Sequence, residues 1–199
     1  MLTSMLQAGL AGLNLSFDDR QIKQLKDYLE LLIKWNKSFN LTAITDPQKM
    51  VAYHVLDSLS IISEMPQQGS CLDVGTGAGL PGIPLAIMLP ESYWVLLDSN
   101  GKKTRFVQQA IASCGLSNVK VVHSRIQDYH ADSSFDVIVS RAYSSLLDFV
   151  SSVDAIWQGN TRLITMKTEL SENELQSLDS TLFKLQINQL QIPGIAEKR

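Results

Sequence analysis

The chain has 199 residues, 45% of them hydrophobic, with 17 Lys and Arg against 20 Asp and Glu and a formal net charge of −3. That length suits one full domain with an extension and allows a substantial buried core. The acidic balance argues against a protein that coats nucleic acid indiscriminately, though a local basic patch remains compatible with it. No stretch approaches the length of a membrane span. The N-terminus shows no basic lead or cleavage site, so a cytoplasmic protein is expected.

Residues 1 to about 66 read as an N-terminal helical extension, and 67–199 as the α/β domain it extends. Ser16 is placed to cap the main helix, with Asp19 three residues on. Ile22, Leu25, Leu29, Leu32 and Phe39 then follow a 3.6-residue period widened by Tyr28 and Trp35. Lys23, Lys26, Asp27, Glu30, Lys34 and Lys37 mark the other side, either as a solvated face or as a nucleic-acid contact. Asp46-Pro47 opens a further helix, as N-cap and first helical residue, with Val51, Val55, Leu59 and Ile62 as its buried stripe. Pro66 to Gly69 end it.

From residue 70 the pattern alternates. Strands are expected at 70–74, 93–98, 119–122, 135–140 and 161–166. Helices are expected near 81–89, 100–113 and 145–157, the second capped by Ser99 and stopped by Gly115. This is βαβ winding, hence a Rossmann-like, mostly parallel sheet with helices on both faces. Cys71 and Cys114 fall in core positions, as in a reducing compartment. His54, His123 and His130 lack metal-ligand spacing, so no metal is expected.

The run Asp73-Val74-Gly75-Thr76-Gly77-Ala78-Gly79-Leu80-Pro81-Gly82 carries the chemistry. A buried strand ends at an acid and breaks into glycines, which let a backbone approach a ligand closely. The next strand ends at Asp98, about 20 residues on, where an acid reaches ribose hydroxyls. Gly77 to Gly82 fits the dinucleotide pattern G-x-G-x-x-G. Asp73 to Gly79 fits D-x-G-x-G-x-G, typical of S-adenosylmethionine (SAM) enzymes. Asp73 favours SAM, because a carboxylate there accepts hydrogen bonds from the methionine ammonium and would repel a pyrophosphate. Gly75, Gly77 and Gly79 go to the methionine end, and Ile126-Gln127 lies beside the adenine.

After the fourth strand comes Ser140-Arg141-Ala142-Tyr143, without the Asp/Asn-Pro-Pro-aromatic turn common where an exocyclic amine is methylated. Neither cysteine stands at a strand end facing the site, as methylation of cytosine C5 requires. A ring nitrogen with its own lone pair, such as guanine N7, needs no base and fits what is left. Two other readings compete with a methyltransferase. A nicotinamide-dependent oxidoreductase would need a second catalytic domain, for which the chain is too short; the other is a silent SAM- or RNA-binding module.

Lys34-Trp35-Asn36-Lys37, Phe39-Asn40-Leu41-Thr42, His54-Val55-Leu56-Asp57-Ser58, Asp73 to Pro84, Leu97-Asp98-Ser99 and Ser140-Arg141-Ala142 occur in this order. On these segments the chain closely resembles the GidB/RsmG family, the bacterial 16S ribosomal RNA guanine-N7 methyltransferases, from about residue 17 to about 194. The resemblance implies a class I SAM-dependent methyltransferase fold with an N-terminal helical extension. It implies methyl transfer to N7 of guanine 527 in the 530 loop of 16S rRNA, presented as RNA or as the 30S subunit, with no membrane and no obligate protein partner. It implies cofactor contacts at Gly75, Leu80, Ile126, Gln127 and Arg141, and RNA contacts at Arg125 and Lys167. Arg141 has four candidate roles: a structural ion pair, or contact with the methionine carboxylate, an RNA phosphate or guanine O6. For Asn40 and His54, substrate contact and hydrogen-bonded packing stand level. The basic residues Lys34, Lys37, Lys102, Lys103, Arg105, Arg125, Arg141 and Lys167 are expected around the pocket mouth.

Gln127-Asp128 replaces two acids common in the family, Lys103 stands where arginine is common, and Thr168 where glycine is. The family has one more apolar strand after the Glu-Lys-Arg region at which this sequence stops. A strand from about Leu182 to Ile192 is therefore expected to lack its usual neighbour, leaving the edge of the fifth strand open. Three outcomes are expected for this segment: disorder after about 180, an unusual pairing, or dimerisation through that edge.

Overall fold

The computed structural model describes residues 1–141, 143, 145–178 and 183–197. Five strands form one sheet: β1 (Gly69–Val74), β2 (Ser92–Asp98), β3 (Val119–His123), β4 (Val137–Ser140) and β5 (Arg162–Thr165). Their order is β3-β2-β1-β4-β5 and every pairing is parallel. The chain winds outward from β1 to β3, then crosses back to β4. The switch point therefore lies between the carboxyl ends of β1 and β4, where open α/β sheets bind ligands.

Alternation along the strands supplies two cores. Cys71, Trp94, Leu96, Val137 and Val139 face one side with α5 (Gly82–Met88) and α6 (Gly101–Cys114). Leu72, Val74, Val95, Leu97 and Ile138 face the other, against Phe149 and Val153 of α7 (Leu146–Val153). A period of two sends successive residues to opposite faces, and both faces of this parallel sheet are covered.

The N-terminal segment joins the first of these cores. α1 (Leu2–Gly12) and α2 (Asp19–Phe39) bury Leu6, Leu10, Leu25, Tyr28, Leu29 and Leu32 completely. The cap of α2 is Asp18, not Ser16. Its carboxylate accepts from the Gln21 N–H at 2.7 Å while Gln21 Oε1 accepts from the Asp18 N–H at 3.0 Å. This capping box lies two residues beyond the expected cap, because only there is a Gln in register to close it. Phe39 continues the apolar stripe in sequence but is exposed, because α2 runs past the core it covers.

Asp46 caps α3 (Pro47–Met50) as expected. A π-helical segment (Val51–Leu56) follows without a break, then α4 (Asp57–Leu59) and a 3₁₀ turn at Ile62–Glu64. Val51, Val55 and Leu59 are buried; Ile62 is only half-buried, since it sits in the tighter turn.

Asn100, not Ser99, caps α6. Its Oδ1 accepts from the Lys102 N–H at 3.0 Å, because Asp98 Oδ1 already takes the Asn100 N–H and sets the turn one residue later. Gly115 ends α6 in the left-handed region, as expected. Residues 183–192 form no strand, and Leu182 lies outside the described residues. Their alternation is strand-like, but a strand needs a partner for its backbone groups. Among the described residues β5 pairs only with β4. Residues 184–190 instead line a groove shared with β5, and Ile192 and Ile195 plug into the core beyond. The short helix α8 (Glu172–Gln176) lies between β5 and this segment.

Candidate active site

The glycine loop leaves β1 by handing its first two amides to β2: Gly75 and Thr76 N–H donate to Leu97 O at 2.8 and 3.0 Å. Gly75, Gly77 and Gly79 have φ of 71°, 61° and 83°. At Gly77 an added Cβ would meet nothing nearer than Gly75 O at 3.9 Å, so the loop holds an open cradle there. At Gly79 the same atom would lie 2.6 Å from Ile83 Cγ1, so that glycine is needed for packing.

Two carboxylates organise the loop. Asp73 is fully buried. Its Oδ2 accepts from Thr76 Oγ1 at 2.7 Å and from the Gly82 N–H at 2.9 Å. Its Oδ1 is buried without a hydrogen-bond partner. Burial pushes the carboxyl up to about 6; Asp98 adds to the rise, and the bonds from Thr76 and Gly82 and the charge of Arg141 oppose it. Asp98 accepts from the Gly77 N–H through Oδ2 and from the Asn100 N–H through Oδ1, both at 2.8 Å. Tyr28 of α2 braces the loop from behind, donating to Ala78 O at 2.7 Å.

The second half of the site lies beyond β4. Arg141 Nη1 donates to Asp57 Oδ2 at 2.8 Å and to Tyr53 O at 3.5 Å, so the π-helical segment and α4 hold it. Its side chain is 23% exposed and that of Asp57 12%. Tyr53 and Asp57, four residues apart, lie on one face of this continuous helical stretch and so reach one guanidinium. His54, between them, meets Thr42 Oγ1 at 2.9 Å through Nε2, and Asn36 clamps the Thr42 backbone through both its amide atoms. Burial, helped by Arg141, lowers the His54 imidazole to about 4, so it is neutral at physiological pH; its Nδ1 is buried without a partner. Tyr53, His54, Asp57, Arg141 and Lys167 line a groove of about 960 Å³. Lys167 sits there with Glu174 of α8 at 2.5 Å.

The expected site residues therefore fall into two groups. Asp73, Gly75, Gly77, Gly79 and Asp98 converge on the loop. His54, Arg141 and Lys167 share the groove. Arg141 bridges the groups, since its charge reaches both Asp73 and His54. Leu80 is buried in the core, and Ile126 packs in the second core with Gln127 and Arg125 exposed beside it, just past β3. Asn40 ends α2 in the left-handed region and is exposed. Thr76, Tyr28, Asp57 and Glu174 were not singled out for these roles from the sequence. Asp57 carried a signal, standing three residues after His54 on one helix; Thr76 and Glu174 partner groups three and seven residues away, and Tyr28 reaches a group far off in sequence.

This sheet order, with an acid next to the end of β1, a glycine loop and an acid-ended β2, is the class I SAM-dependent methyltransferase fold. Solved structures agree on the fold. A SAM-dependent methyltransferase from Aquifex aeolicus superposes with a TM-score of 0.52 at 22% identity, over 67% of this chain and 74% of its own. A putative protein-L-isoaspartate O-methyltransferase from Plasmodium falciparum, in complex with S-adenosyl-L-homocysteine, gives 0.53 at 18% identity, over 83% and 84%. The GidB family model, described as rRNA small subunit methyltransferase G, matches residues 21–199. Ribosomal RNA small subunit methyltransferase G of Stutzerimonas stutzeri is 46% identical over 195 residues, 98% of this chain and 91% of its own. Its counterpart in Shewanella sp. W3-18-1 is 42% identical over 199 residues, 100% and 96%. The chain belongs to the GidB family of rRNA small subunit methyltransferases.

Proposed function

We propose that this protein transfers a methyl group from SAM to N7 of guanine 527 in the 530 loop of 16S rRNA, in the cytoplasm, on the RNA or the 30S subunit. The observation that carries the cofactor is the buried Asp73 Oδ1, unpartnered beside an open glycine cradle. A cationic ammonium supplies the missing donor there, and a phosphate does not. SAM supplies a sulfonium-activated methyl group when bound. Asp73 and the backbone at Gly75, Gly77 and Gly79 hold its methionine end. Each Asp98 oxygen retains acceptor capacity for a ribose hydroxyl, and Leu80, Ile126 and Gln127 border the adenosine.

The residues suit an acceptor that brings its own lone pair. Burial pushes the Cys71 and Cys114 thiols up to about 12, so neither supplies a thiolate. Arg141 donates to guanine O6 or to the methionine carboxylate from its remaining nitrogens. Methylation at N7 makes the purine cationic, and Asp57 offsets the guanidinium charge that would oppose this. Asn40, His54, Arg125 and Lys167 border the RNA. The helical segment 1–66 acts as an extension that braces the loop through Tyr28 and sets Arg141 through Asp57.

The test is transfer from tritiated SAM to unmodified 16S rRNA and 30S particles, with mapping of the methylated base. Label at guanine 527, lost in Asp73→Ala and Arg141→Ala, is expected. Transfer to another base or to protein alone sinks the proposal.

A further inference from the structure

An aromatic chain leads from the glycine loop to the surface. Tyr28, hydrogen-bonded to Ala78 O, has its ring centroid 6.2 Å from Phe106. Phe106 meets Trp35 edge-on at 5.7 Å, and Trp35 meets Phe39 at 5.0 Å. The chain ends at Phe39, which is 46% exposed. A large apolar ring left in water at the end of a packed stack, on a net acidic protein, calls for a partner.

The charges around it give the partner's sign. α2 and α6 run antiparallel: Gln24 bonds Cys114 O while Trp35 packs on Phe106, so the end of α2 lies beside the first turn of α6. In the first half of α2 the lysines are matched, Lys23 with Asp27 and Lys26 with Glu30. Among the described residues Lys34, Lys37, Lys102 and Lys103 form no ion pair. Lys102 and Lys103 occupy the first turn of α6, where the helix dipole disfavours cations. Unmatched lysines in an unfavourable place at the start of α6, beside the end of α2 that carries the exposed ring, fit an anionic polymer that carries flat rings. The first turn of α6 also follows directly from Asp98, so this surface adjoins the cofactor loop.

We propose that Phe39 is a stacking platform for one unpaired nucleobase of the RNA, with Lys102 and Lys103 holding a flanking phosphate. This deepens the RNA-substrate reading above and rests on it. Stacking is indifferent to base identity and pairs naturally with a cationic margin. The site therefore holds a nucleotide near the target while the loop and Arg141 select the reacting guanine.

The experiment measures binding of a fluorescent, unmodified 530-loop hairpin RNA to the full chain by anisotropy. A fully paired duplex of equal length serves as comparison, with SAM titrated calorimetrically in parallel. Phe39→Ala is expected to weaken hairpin binding roughly 5- to 100-fold. Phe39→Trp should retain it, and SAM affinity should not change in either. Lys102→Gln/Lys103→Gln should flatten the salt dependence by roughly 0.7 per lysine on a logarithmic plot. Abasic scanning should find one position whose loss weakens wild type but not Phe39→Ala.

Unchanged SAM affinity certifies the fold of each variant, with Phe39→Leu as a milder substitution. Wild type that binds and methylates the hairpin while Phe39→Ala binds equally well overturns the platform alone. Wild type that neither binds nor methylates the hairpin, 16S rRNA or unmodified 30S particles overturns the platform and the RNA reading together. A change of sedimentation in Phe39→Ala without a change in RNA affinity assigns the ring to self-association and also overturns it.

Discussion

Gly77 and Gly115 provide a matched pair of substitutions. Both have φ of +61°; a Cβ at Gly77 meets only Gly75 O at 3.9 Å, and one at Gly115 meets nothing within 4 Å. Replacement by alanine adds about 1–2 kcal/mol of left-handed strain at each. Reduced freedom of the unfolded chain returns about 0.4–1 kcal/mol. Both variants should therefore lose about 1 kcal/mol, lowering Tm by about 2–4 °C in a chain of this size. They part company over SAM. At Gly115, the end of α6, the methyl group points into solvent. At Gly77 it fills the cradle proposed for the methionine end, and overpacking of about 1–3 kcal/mol corresponds to roughly 5- to 150-fold weaker binding. Scanning calorimetry gives the first quantity and titration with SAM the second. Equal SAM affinity in the two variants, with equal loss of Tm, would refute the placement of the cofactor at this loop.

The raised Asp73 carboxyl gives a pH signature. Between about 4 and about 6 the folded chain holds a proton that the unfolded chain has lost, so stability of the free protein falls as pH rises through that window. SAM affinity should move the other way, improving about tenfold per pH unit up to about 6 as the carboxylate ionises; an equal slope in Asp73→Asn would discount it. His54 acts in the opposite sense, with an ordinary value of 6.5 lowered to about 4. As pH falls from 6.5 to 4 the unfolded chain gains a proton that the folded one refuses, removing on the order of 3 kcal/mol. His54→Gln should flatten acid unfolding over that range, and an unaltered profile would count against the buried neutral ring. Asp57→Ala should cost roughly 1.5–3 kcal/mol of stability, as a charge-assisted, largely buried bond is lost. Measured in a cycle with Arg141→Ala, the two losses should be strongly non-additive; simple additivity would show the pair to be uncoupled.

Some of this protein was legible without coordinates, because the signals are local. Asp73 followed by three glycines at alternate positions, and Asp98 at the next strand end, state a parallel α/β turn within 26 residues. Asp46-Pro47 and Gly115 mark helix ends by backbone chemistry that needs no tertiary partner. Caps were missed where neighbours compete: Asp18 wins over Ser16 because Gln21 closes its box, and Asn100 over Ser99 because Asp98 has claimed the Asn100 amide. Residues 183–192 alternate like a strand, yet alternation specifies a face, not a partner, and without a ladder the segment stays irregular. The groups that tune the site were invisible for a related reason. Asp57 reaches Arg141 across 84 residues and Tyr28 reaches Ala78 across 50. Such pairings come from packing α2 on α5 and α6, and α4 with the π-helical segment on its neighbouring helices. Burial, likewise a property of the assembled core, is what lifts the Asp73 carboxyl and lowers the His54 imidazole. Local backbone chemistry thus determined where the glycine turn stands, and only tertiary packing decided which charges surround it.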